Sequence, residues 1–180
     1  MRGVQERGAA PPLSDGERHG GGSLRRLSVT GAVAAAVVAA DQVTKSWAVH
    51  RLSHGQVHVL WKLDFQLAFN SGISFGFAQG WGPVLAGVAV VAVVLLLGFA
   101  RSVHSVPLAA ATGLVVGGAL GNLSDRVFRS HHGAVVDFIA LHFWPSFNVA
   151  DSAIVLGALW AAFLLWRSPA GGRRRSVAHG

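Results

Sequence analysis

The stretch SVPLAAATGLVVGGALGNLS, residues 105–124, contains no charged side chain. A helix needs about 20 predominantly apolar residues to cross the hydrocarbon core of a bilayer. Such a helix satisfies its own backbone hydrogen bonds, which lipid cannot do. Small residues let neighbouring helices approach closely, and the stretch has four glycines: Gly113, Gly117, Gly118 and Gly121. The stretch therefore predicts a closely packed transmembrane helix over residues 105–125.

Three further apolar segments of similar length lie at residues 27–49, 81–101 and 148–167. The composition agrees with a membrane protein, because 52% of the residues are hydrophobic and only 13% are charged. A soluble domain usually has about 25% charged residues. The predicted fold class is therefore an all-α membrane protein with four transmembrane helices, in one domain that covers residues 27–168.

The first apolar segment also has features of a cleavable signal peptide, because Arg25 and Arg26 precede a run rich in Ala and Val. Against cleavage, the following DQVTKSW continues in helical register. Asp41 and Lys45 are spaced i,i+4 there, so they can pair on one helix face. Residues 1–26 are rich in Gly, Arg, Pro and Ser, which predicts a disordered basic N-terminal tail.

Lysine and arginine residues predict the orientation, because they are enriched on the cytoplasmic side of membrane proteins. With four spans, the N-terminal tail, the connection around Arg101 and the basic C-terminal tail, residues 169–180, all lie on one side. That side is predicted to be the cytoplasm. Segments 50–80 and 126–147 are then extracytoplasmic. We therefore expect a multi-pass protein of the cell membrane with both termini in the cytoplasm.

Segment 50–80 is too polar to cross a membrane. Within it, QVHVLWKLDFQLAF roughly alternates between apolar and polar residues, which predicts short β-strands. The stretch NSGISFG at residues 70–76 predicts a tight turn with close backbone approach. We expect a small β-structure that lies on the outer surface of the membrane.

After residue 26 the chain has no Glu and five Asp: Asp41, Asp64, Asp125, Asp137 and Asp151. In the predicted topology, all of them except Asp64 fall near the extracytoplasmic interface. An ionisable group near the hydrocarbon is costly, so it usually faces a partner or a cavity. An asparagine stands three residues before both Asp125 and Asp151, and its amide can orient a carboxylate. The grouping predicts a carboxylate site close to the outer face, with Asn122 and Asn148 beside it.

Purely structural roles are alternatives for most of these aspartates. Asp125 and the adjacent Arg126 fit a plain ion pair at a helix end, and Asp41 with its i+4 lysine fits a structural pair. Asp151 fits the N-cap of the fourth helix. Asp137 has the weakest structural explanation, because a lone carboxylate among apolar residues is expensive unless it is paired or protonated.

Two carboxylates in a low-dielectric site can share one proton, which is how aspartic proteases hydrolyse peptides. The absence of Cys excludes thiol nucleophiles and thiolate metal sites. The histidines lack zinc-motif spacing, so we predict neither a metal nor a cofactor. The net charge of +7 resides in the tails, so nucleic-acid binding is not predicted. The pattern alone leaves open a peptidase, a small transporter or channel component that uses carboxylates as proton or ion sites, and a non-enzymatic scaffold.

Five motifs occur in order along the chain: DQVTK (41–45), FNSGISFG (69–76), GGALGNLSDRV (117–127), GAVVDFI (133–139) and FNVADSAI (147–154). Together they resemble the lipoprotein signal peptidase (signal peptidase II) family of bacteria. The resemblance implies a four-helix membrane aspartyl endopeptidase with an extracytoplasmic β-cradle after helix 1. It also implies cleavage of the signal peptide from diacylglyceryl-modified prolipoproteins, just before the lipidated Cys, and inhibition by globomycin.

The resemblance places the catalytic pair at Asp137 and Asp151. It implies supporting or substrate-binding roles for further residues: Asp41, Lys45, Asn70, Gly72, Asn122, Asp125, Arg126, Asn148 and Ala150. The expected partners are prolipoprotein substrates and the lipid bilayer, and a monomer is expected. Three features depart from the family pattern. Only residues 138–150 separate the catalytic candidates, both tails are additional, and the turn reads NSGISFG where an Ala-rich version is common.

Overall fold

The computed structural model describes residues 15–71, 82–129, 131 and 133–167. The helices are α1 (Asp15–Leu52), α2 (Gly82–Arg101), α3 (Val106–Phe128) and α4 (Val149–Arg167). The strands are β1 (Val57–Leu60), β2 (Leu63–Asn70), β3 (Val135–Leu141) and β4 (Trp144–Phe147). The described part of the chain is therefore mostly helical. Strands β1 and β2 lie between α1 and α2, and strands β3 and β4 lie between α3 and α4.

Helix α3 packs closely against α1 through two of its glycines. A Cβ atom added at Gly113 would lie 2.8 Å from the backbone oxygen of Thr30, and one at Gly117 would lie 2.8 Å from that of Ala34. The hydroxyl of Thr30 donates a hydrogen bond of 3.0 Å to the backbone oxygen of Ala109 at this contact. Glycine is thus required here because the backbones of the two helices meet without room for a side chain.

The opposite side of α3 packs in the same way against α4. A Cβ atom at Gly157 of α4 would lie 2.8 Å from the backbone oxygen of Ala111, and one at Gly118 of α3 would collide with the backbone oxygen of Ala150. Helix α3 therefore lies between α1 and α4. This arrangement brings the C-terminal ends of α1 and α3 and the N-terminal end of α4 together, where the polar residues of the GNLSDR and FNVAD motifs lie.

Three helices are long and apolar enough to cross a membrane among the residues that the structure describes, and they cover Gly21–Leu52, Val106–Phe128 and Val149–Arg167. Helix α2 has a shorter apolar stretch, Ala86–Arg101, and is not one of these three. The four predicted spans thus correspond to four observed helices. The last three begin and end within three residues of the predicted bounds. Whether α2 crosses the membrane remains a prediction.

Helix α1 begins twelve residues earlier than the predicted start at residue 27, because it includes residues 15–26. Extending an existing helix adds one hydrogen bond for each residue fixed, which is far less costly than starting a new helix. The part of the predicted tail from Asp15 onward is therefore helical. Residues 1–14, residue 168 and the predicted C-terminal tail, residues 169–180, lie outside the described residues.

The four strands form one antiparallel sheet in the order β1-β2-β3-β4. The two strands in segment 50–80 confirm the prediction there. The mostly helical fold is confirmed. The expectation that the β-structure is confined to the segment after helix 1 was wrong, because β3 and β4 add a second hairpin to the sheet from segment 126–147. The first four residues of β3 are all buried, so this strand lacks the alternation of apolar and polar residues that identifies a half-exposed strand.

The sheet packs on the C-terminal end of α1. Ala48, Leu52 and Phe138 form a buried cluster there. Trp47 of α1 meets the ring of Phe65 edge-on at 5.6 Å and that of Phe138 at 6.2 Å, measured between ring centroids. Phe138 directly follows Asp137 in β3, so this apolar contact fixes the strand that carries the predicted catalytic aspartate.

Candidate active site

Asp137 lies in β3, with its side chain buried among polar partners. Its Oδ1 accepts a hydrogen bond of 2.7 Å from the side-chain amide of Asn148, and its Oδ2 accepts one of 2.9 Å from that of Asn70. Asn70 ends the neighbouring strand β2, which pairs with β3 at Val135. Both oxygens of Asp137 therefore have a donor. This agrees with the expectation that a carboxylate among apolar residues requires specific partners.

Asp151 lies in the first turn of α4, where its Oδ1 accepts a hydrogen bond of 2.8 Å from the side-chain amide of Asn122. Its Oδ2 accepts the backbone N–H of Asn148 at 3.1 Å, and its own backbone N–H donates to Oδ1 of Asn148 at 2.9 Å. This reciprocal pair is a capping box. The interpretation of Asp151 as the N-cap was wrong, because Asn148 occupies that position.

Asn148 connects the two aspartates. Its side-chain amide donates to Asp137, and its backbone N–H donates to Asp151. Its amide nitrogen also lies 3.2 Å from Oδ1 of Asn122, which in turn donates to Asp151. The short connection 138–150, which contains the turn between β3 and β4, therefore brings both carboxyl groups into contact with one fully buried asparagine.

The environment of Asp137 favours its protonated form. Burial raises the pKa of Asp137 to about 6, opposed by the hydrogen bond from Asn70 and reinforced by the negative charge of Asp151. An aspartate ordinarily titrates near pH 4. The site can therefore keep the carboxyl group of Asp137 protonated in mildly acidic solution, as a general acid for hydrolysis requires.

A buried cluster of charged side chains lies in contact with Asn122. The ammonium group of Lys45 lies 2.8 Å from Oδ2 of Asp41, 2.9 Å from Oδ2 of Asp125 and 2.9 Å from Oδ1 of Asn122. The side chains of Lys45 and both aspartates are fully buried. The predicted i,i+4 pair of Asp41 and Lys45 is confirmed. The structure adds Asp125 to it.

Close packing of α3 against α1 makes this cluster possible. A Cβ atom at Gly121 would lie 2.6 Å from Oδ2 of Asp41. Ala150, the third predicted site residue in the FNVAD motif, is fully buried, and its backbone N–H donates to Oδ1 of Asp41 at 3.0 Å. The glycine and the alanine therefore leave room for the carboxylate of Asp41 between the three helices.

The suggested ion pair between Asp125 and the adjacent Arg126 was wrong. Asp125 pairs instead with Arg129, whose Nε lies 2.9 Å from its Oδ1, and with Lys45. Consecutive residues of a helix point in different directions, whereas residues four apart share a face. Arg126 donates from Nη1 to the backbone oxygen of Asn122 at 3.3 Å, and its buried Nε has no hydrogen-bond partner among the described residues.

Two residues of this region were missed in the sequence. The side-chain amide of Gln42 donates to Oδ1 of Asp125 at 3.0 Å, and Arg129 donates to the side-chain oxygen of Gln42 at 3.1 Å and to Ser46 at 3.1 Å. The i,i+4 spacing of Asp125 and Arg129 is a sequence signal that could have identified the arginine. No comparable signal pointed to Gln42, because its partners lie on another helix.

A polar cavity of about 290 Å³ opens beside Asp137. It is lined by Ala68, Phe69, Asn70, Ser71, Asp137, Pro145 and Ser146. It therefore lies between the end of β2 and the start of β4, so the unexpected second hairpin supplies one wall. Gly72, the remaining predicted site residue, lies outside the described residues.

Asp64, the fifth aspartate, contacts none of the polar residues of this site that are named above. Its carboxylate contacts Nε2 of His142 at 2.9 Å and Nδ1 of His58 at 2.6 Å. These hydrogen bonds hold the pKa of Asp64 below its usual value. No group of three or more potential metal ligands is arranged to hold an ion in the part of the chain that the structure describes.

Comparisons with known proteins show which family the chain belongs to. The family model described as Signal peptidase (SPase) II matches residues 33–167. The chain is 40% identical to a lipoprotein signal peptidase from Streptomyces coelicolor, over 79% of this chain and 72% of the relative. It is 38% identical to one from Mycobacterium tuberculosis, over 87% of this chain and 84% of the relative.

Two solved structures have the same fold. Their titles describe a bacterial membrane enzyme at 1.9 Å and at 2.3 Å resolution. The first has a TM-score of 0.70 and 27% identity, and the alignment covers 78% of this chain and 94% of that one. The second has a TM-score of 0.68 and 25% identity over 83% and 94% of the two chains. The chain belongs to the signal peptidase II family of membrane proteases.

Proposed function

We propose that this protein is an aspartic endopeptidase that removes the signal peptide from diacylglyceryl-modified prolipoproteins on the N-terminal side of the lipidated Cys. The observation that carries the proposal is the position of Asn148, which donates to both Asp137 and Asp151. Family membership supports the substrate class, because the relatives are named lipoprotein signal peptidases.

In the proposed mechanism, the two aspartates have different roles. Asp137 carries the proton, because burial raises its pKa to about 6 and a bound substrate that excludes water raises it further. Asp151 is ionised and accepts a proton from the attacking water. Asp137 donates its proton to the oxygen of the scissile carbonyl as the water oxygen bonds to the carbonyl carbon. Asp151 then gives the proton that it took from water to the amide nitrogen, while one hydroxyl of the tetrahedral diol returns a proton to Asp137. The C–N bond breaks, which leaves a carboxylic acid and an amine and restores the starting protonation of the pair.

The other polar residues of the site hold these two groups. Asn148 and Asn70 fix the orientation of Asp137, and Asn122 fixes that of Asp151. The cavity beside Asp137 gives the substrate backbone access to the protonated carboxyl group. Arg126 has a buried N–H close to Asn122 that lacks a partner among the residues the structure describes, so we propose that it donates to a carbonyl oxygen of the substrate.

The proposed topology has four spans, with α2 as the fourth, both termini in the cytoplasm and the carboxylate site near the extracytoplasmic face. Basic residues support it, because Arg101 ends α2 and Arg167 ends α4 on what is then the cytoplasmic side. The sheet lies at the C-terminal end of α1 and the N-terminal end of α4. These are the extracytoplasmic ends in the proposed topology, where a β-cradle beside the substrate is required. The protein is proposed to act as a monomer.

The proposed function is tested with purified protein in detergent and a prolipoprotein prepared with and without the diacylglyceryl group. We expect cleavage of the lipidated substrate alone, with the new N-terminus at the lipidated Cys as determined by mass spectrometry, and inhibition by globomycin. Asp64→Asn is a suitable control, because Asp64 lies away from the site. Absence of cleavage together with proton or ion flux into liposomes would instead favour the transporter.

A further inference from the structure

The two buried carboxylates next to Lys45 belong to Asp41 and Asp125. Each of them also accepts a backbone N–H from the residue that directly precedes a proposed catalytic aspartate. Oδ2 of Asp125 accepts the backbone N–H of Val136 at 3.0 Å, and Val136 directly precedes Asp137. A backbone N–H has one strong hydrogen bond to offer, so this contact fixes the peptide unit that leads into the aspartate.

The same arrangement occurs on the other side of the cluster. Oδ1 of Asp41 accepts the backbone N–H of Ala150 at 3.0 Å, and Ala150 directly precedes Asp151. Both N–H groups belong to fully or almost fully buried residues. The residue before each proposed catalytic aspartate is thus held by a buried carboxylate, and the two carboxylates come from different helices, α1 and α3.

Lys45 joins these two contacts. Its ammonium group bonds Asp41 at 2.8 Å and Asp125 at 2.9 Å, and it has a third bond of 2.9 Å to Asn122. Asn122 uses its oxygen to accept from Lys45, so its amide nitrogen must face the opposite way, toward Asp151. The three donor directions of one ammonium group are all used.

We propose that Lys45 is a positioning residue that sets the separation and orientation of Asp137 and Asp151 through Asp41, Asp125 and Asn122. This inference rests on the proposed function, because it concerns the geometry of that catalytic pair. A functional site must be held within about 0.5 Å of its productive geometry. A single anchor for both peptide units keeps β3 and the start of α4 in register with each other.

Stability alone is a poor explanation for the cluster. Replacing a buried ion pair by apolar residues of similar volume is often neutral or stabilising, whereas removal of one partner leaves an uncompensated buried charge. The chain nevertheless keeps three fully buried charged groups at this point. The contacts of the cluster with Val136 and Ala150 give these groups a role that apolar residues cannot perform, because only a polar group can accept a backbone N–H.

The test separates positioning from charge compensation. Lys45→Met leaves the cluster with two carboxylates and Arg129, so it both removes the anchor and unbalances the charge. The double variant Lys45→Met with Asp125→Asn restores the balance, since Asp41 and Arg129 remain. Asp125→Asn alone keeps Lys45 and an oxygen that can accept from Val136. The values of kcat and KM for a lipidated prolipoprotein and the melting temperature are measured for all three variants.

We expect kcat of the double variant to lie at least ten-fold below that of Asp125→Asn alone, with KM within three-fold of wild type, although its melting temperature recovers relative to Lys45→Met. The proposal is overturned if kcat of the double variant equals that of Asp125→Asn. Lys45 would then only compensate charge. If Lys45→Met does not fold, the comparison of the double variant with Asp125→Asn still decides the question.

Arg129→Met is the matched control, because Arg129 also pairs with Asp125 but does not contact Lys45 or either peptide unit. We expect a lower melting temperature with kcat within three-fold of wild type. Failure of this inference differs from failure of the proposed function. If the inference fails, the wild type cleaves the lipidated substrate and the double variant has the same kcat as Asp125→Asn. If the proposed function fails, the wild type itself does not cleave.

Discussion

Replacement of Asp137 by Asn is expected to stabilise the protein at neutral and alkaline pH while it abolishes activity. Burial raises the pKa of this carboxyl group from 3.8 to about 6. The folded state therefore disfavours the ionised form of Asp137, which lowers the free energy of unfolding. This loss of stability is absent below pH 3.8, grows between the two pKa values and is complete above pH 6. Asparagine has the same size and cannot ionise, so it avoids this cost.

The magnitude follows from the size of the pKa shift. Each pKa unit corresponds to about 1.4 kcal/mol, so a shift of roughly two units costs about 3 kcal/mol. Asparagine at this position has one acceptor oxygen for the two amide donors of Asn70 and Asn148, so one hydrogen bond worth about 1 kcal/mol is lost. The net gain in the free energy of unfolding at pH 8 is therefore about 2 kcal/mol, or roughly 4–8 °C in melting temperature for a chain of this size.

The assay is thermal unfolding in detergent, followed by tryptophan fluorescence from pH 4 to pH 8. The gain should disappear toward pH 4, where the variant is expected to be about 1 kcal/mol less stable than wild type because only the lost hydrogen bond remains. A lower melting temperature of the variant at pH 8, or a difference that does not change with pH, would refute the reasoning.

Asp64→Asn provides a control of opposite sign. Hydrogen bonds from His142 and His58 lower the pKa of Asp64, so its ionised form stabilises the folded state above the unfolded pKa and this contribution is lost as the pH falls. The variant is therefore expected to be less stable than wild type at pH 8, with a difference that shrinks at low pH. Two Asp-to-Asn changes in one sheet should thus change stability in opposite directions.

Three further predictions concern catalysis, packing and topology. The value of kcat/KM should fall about ten-fold for each pH unit above the pKa of Asp137, about 6, because the proposed general acid has then lost its proton. Gly117→Ala should cost about 1–3 kcal/mol of stability by chemical denaturation, since its Cβ would lie 2.8 Å from a backbone oxygen of α1, whereas Gly31→Ala, with open space around it, should not destabilise. In the chain without native Cys, a membrane-impermeant thiol reagent added outside should label Ser53→Cys and not Ser102→Cys, and the reverse result would invert the topology.

The helices were predictable from the sequence because their signal is local. Twenty apolar residues in a row specify a span whatever they pack against, and the bounds of α3 and α4 follow from that rule. The proximity of Asp137 and Asp151 was also predictable in outline, because only residues 138–150 separate them and the flanking segments return to the same end of the bundle.

The sheet and the partners of the charged residues were harder to predict, because they depend on contacts between distant segments. Strand β3 is covered on both faces over its first residues, so its sequence lacks the alternation that identified β2. Asp125 is adjacent to Arg126 in the chain, but its partners are Lys45 on another helix and Arg129 one turn further on. The role of Asn148 as the cap of α4 and the link between the two aspartates depends on the same tertiary contacts.

The central claim is that Asp137 and Asp151 together perform the cleavage. It is tested most directly by single-turnover cleavage of a lipidated prolipoprotein with Asp137→Asn, Asp151→Asn and the control Asp64→Asn, each at enzyme excess and each checked for folding by its melting temperature. We predict that either site variant loses more than 10³-fold in the cleavage rate, on the scale of losses from aspartate replacement in other proteases, while the control stays within three-fold of wild type. Cleavage near the wild-type rate by either folded site variant would contradict the account.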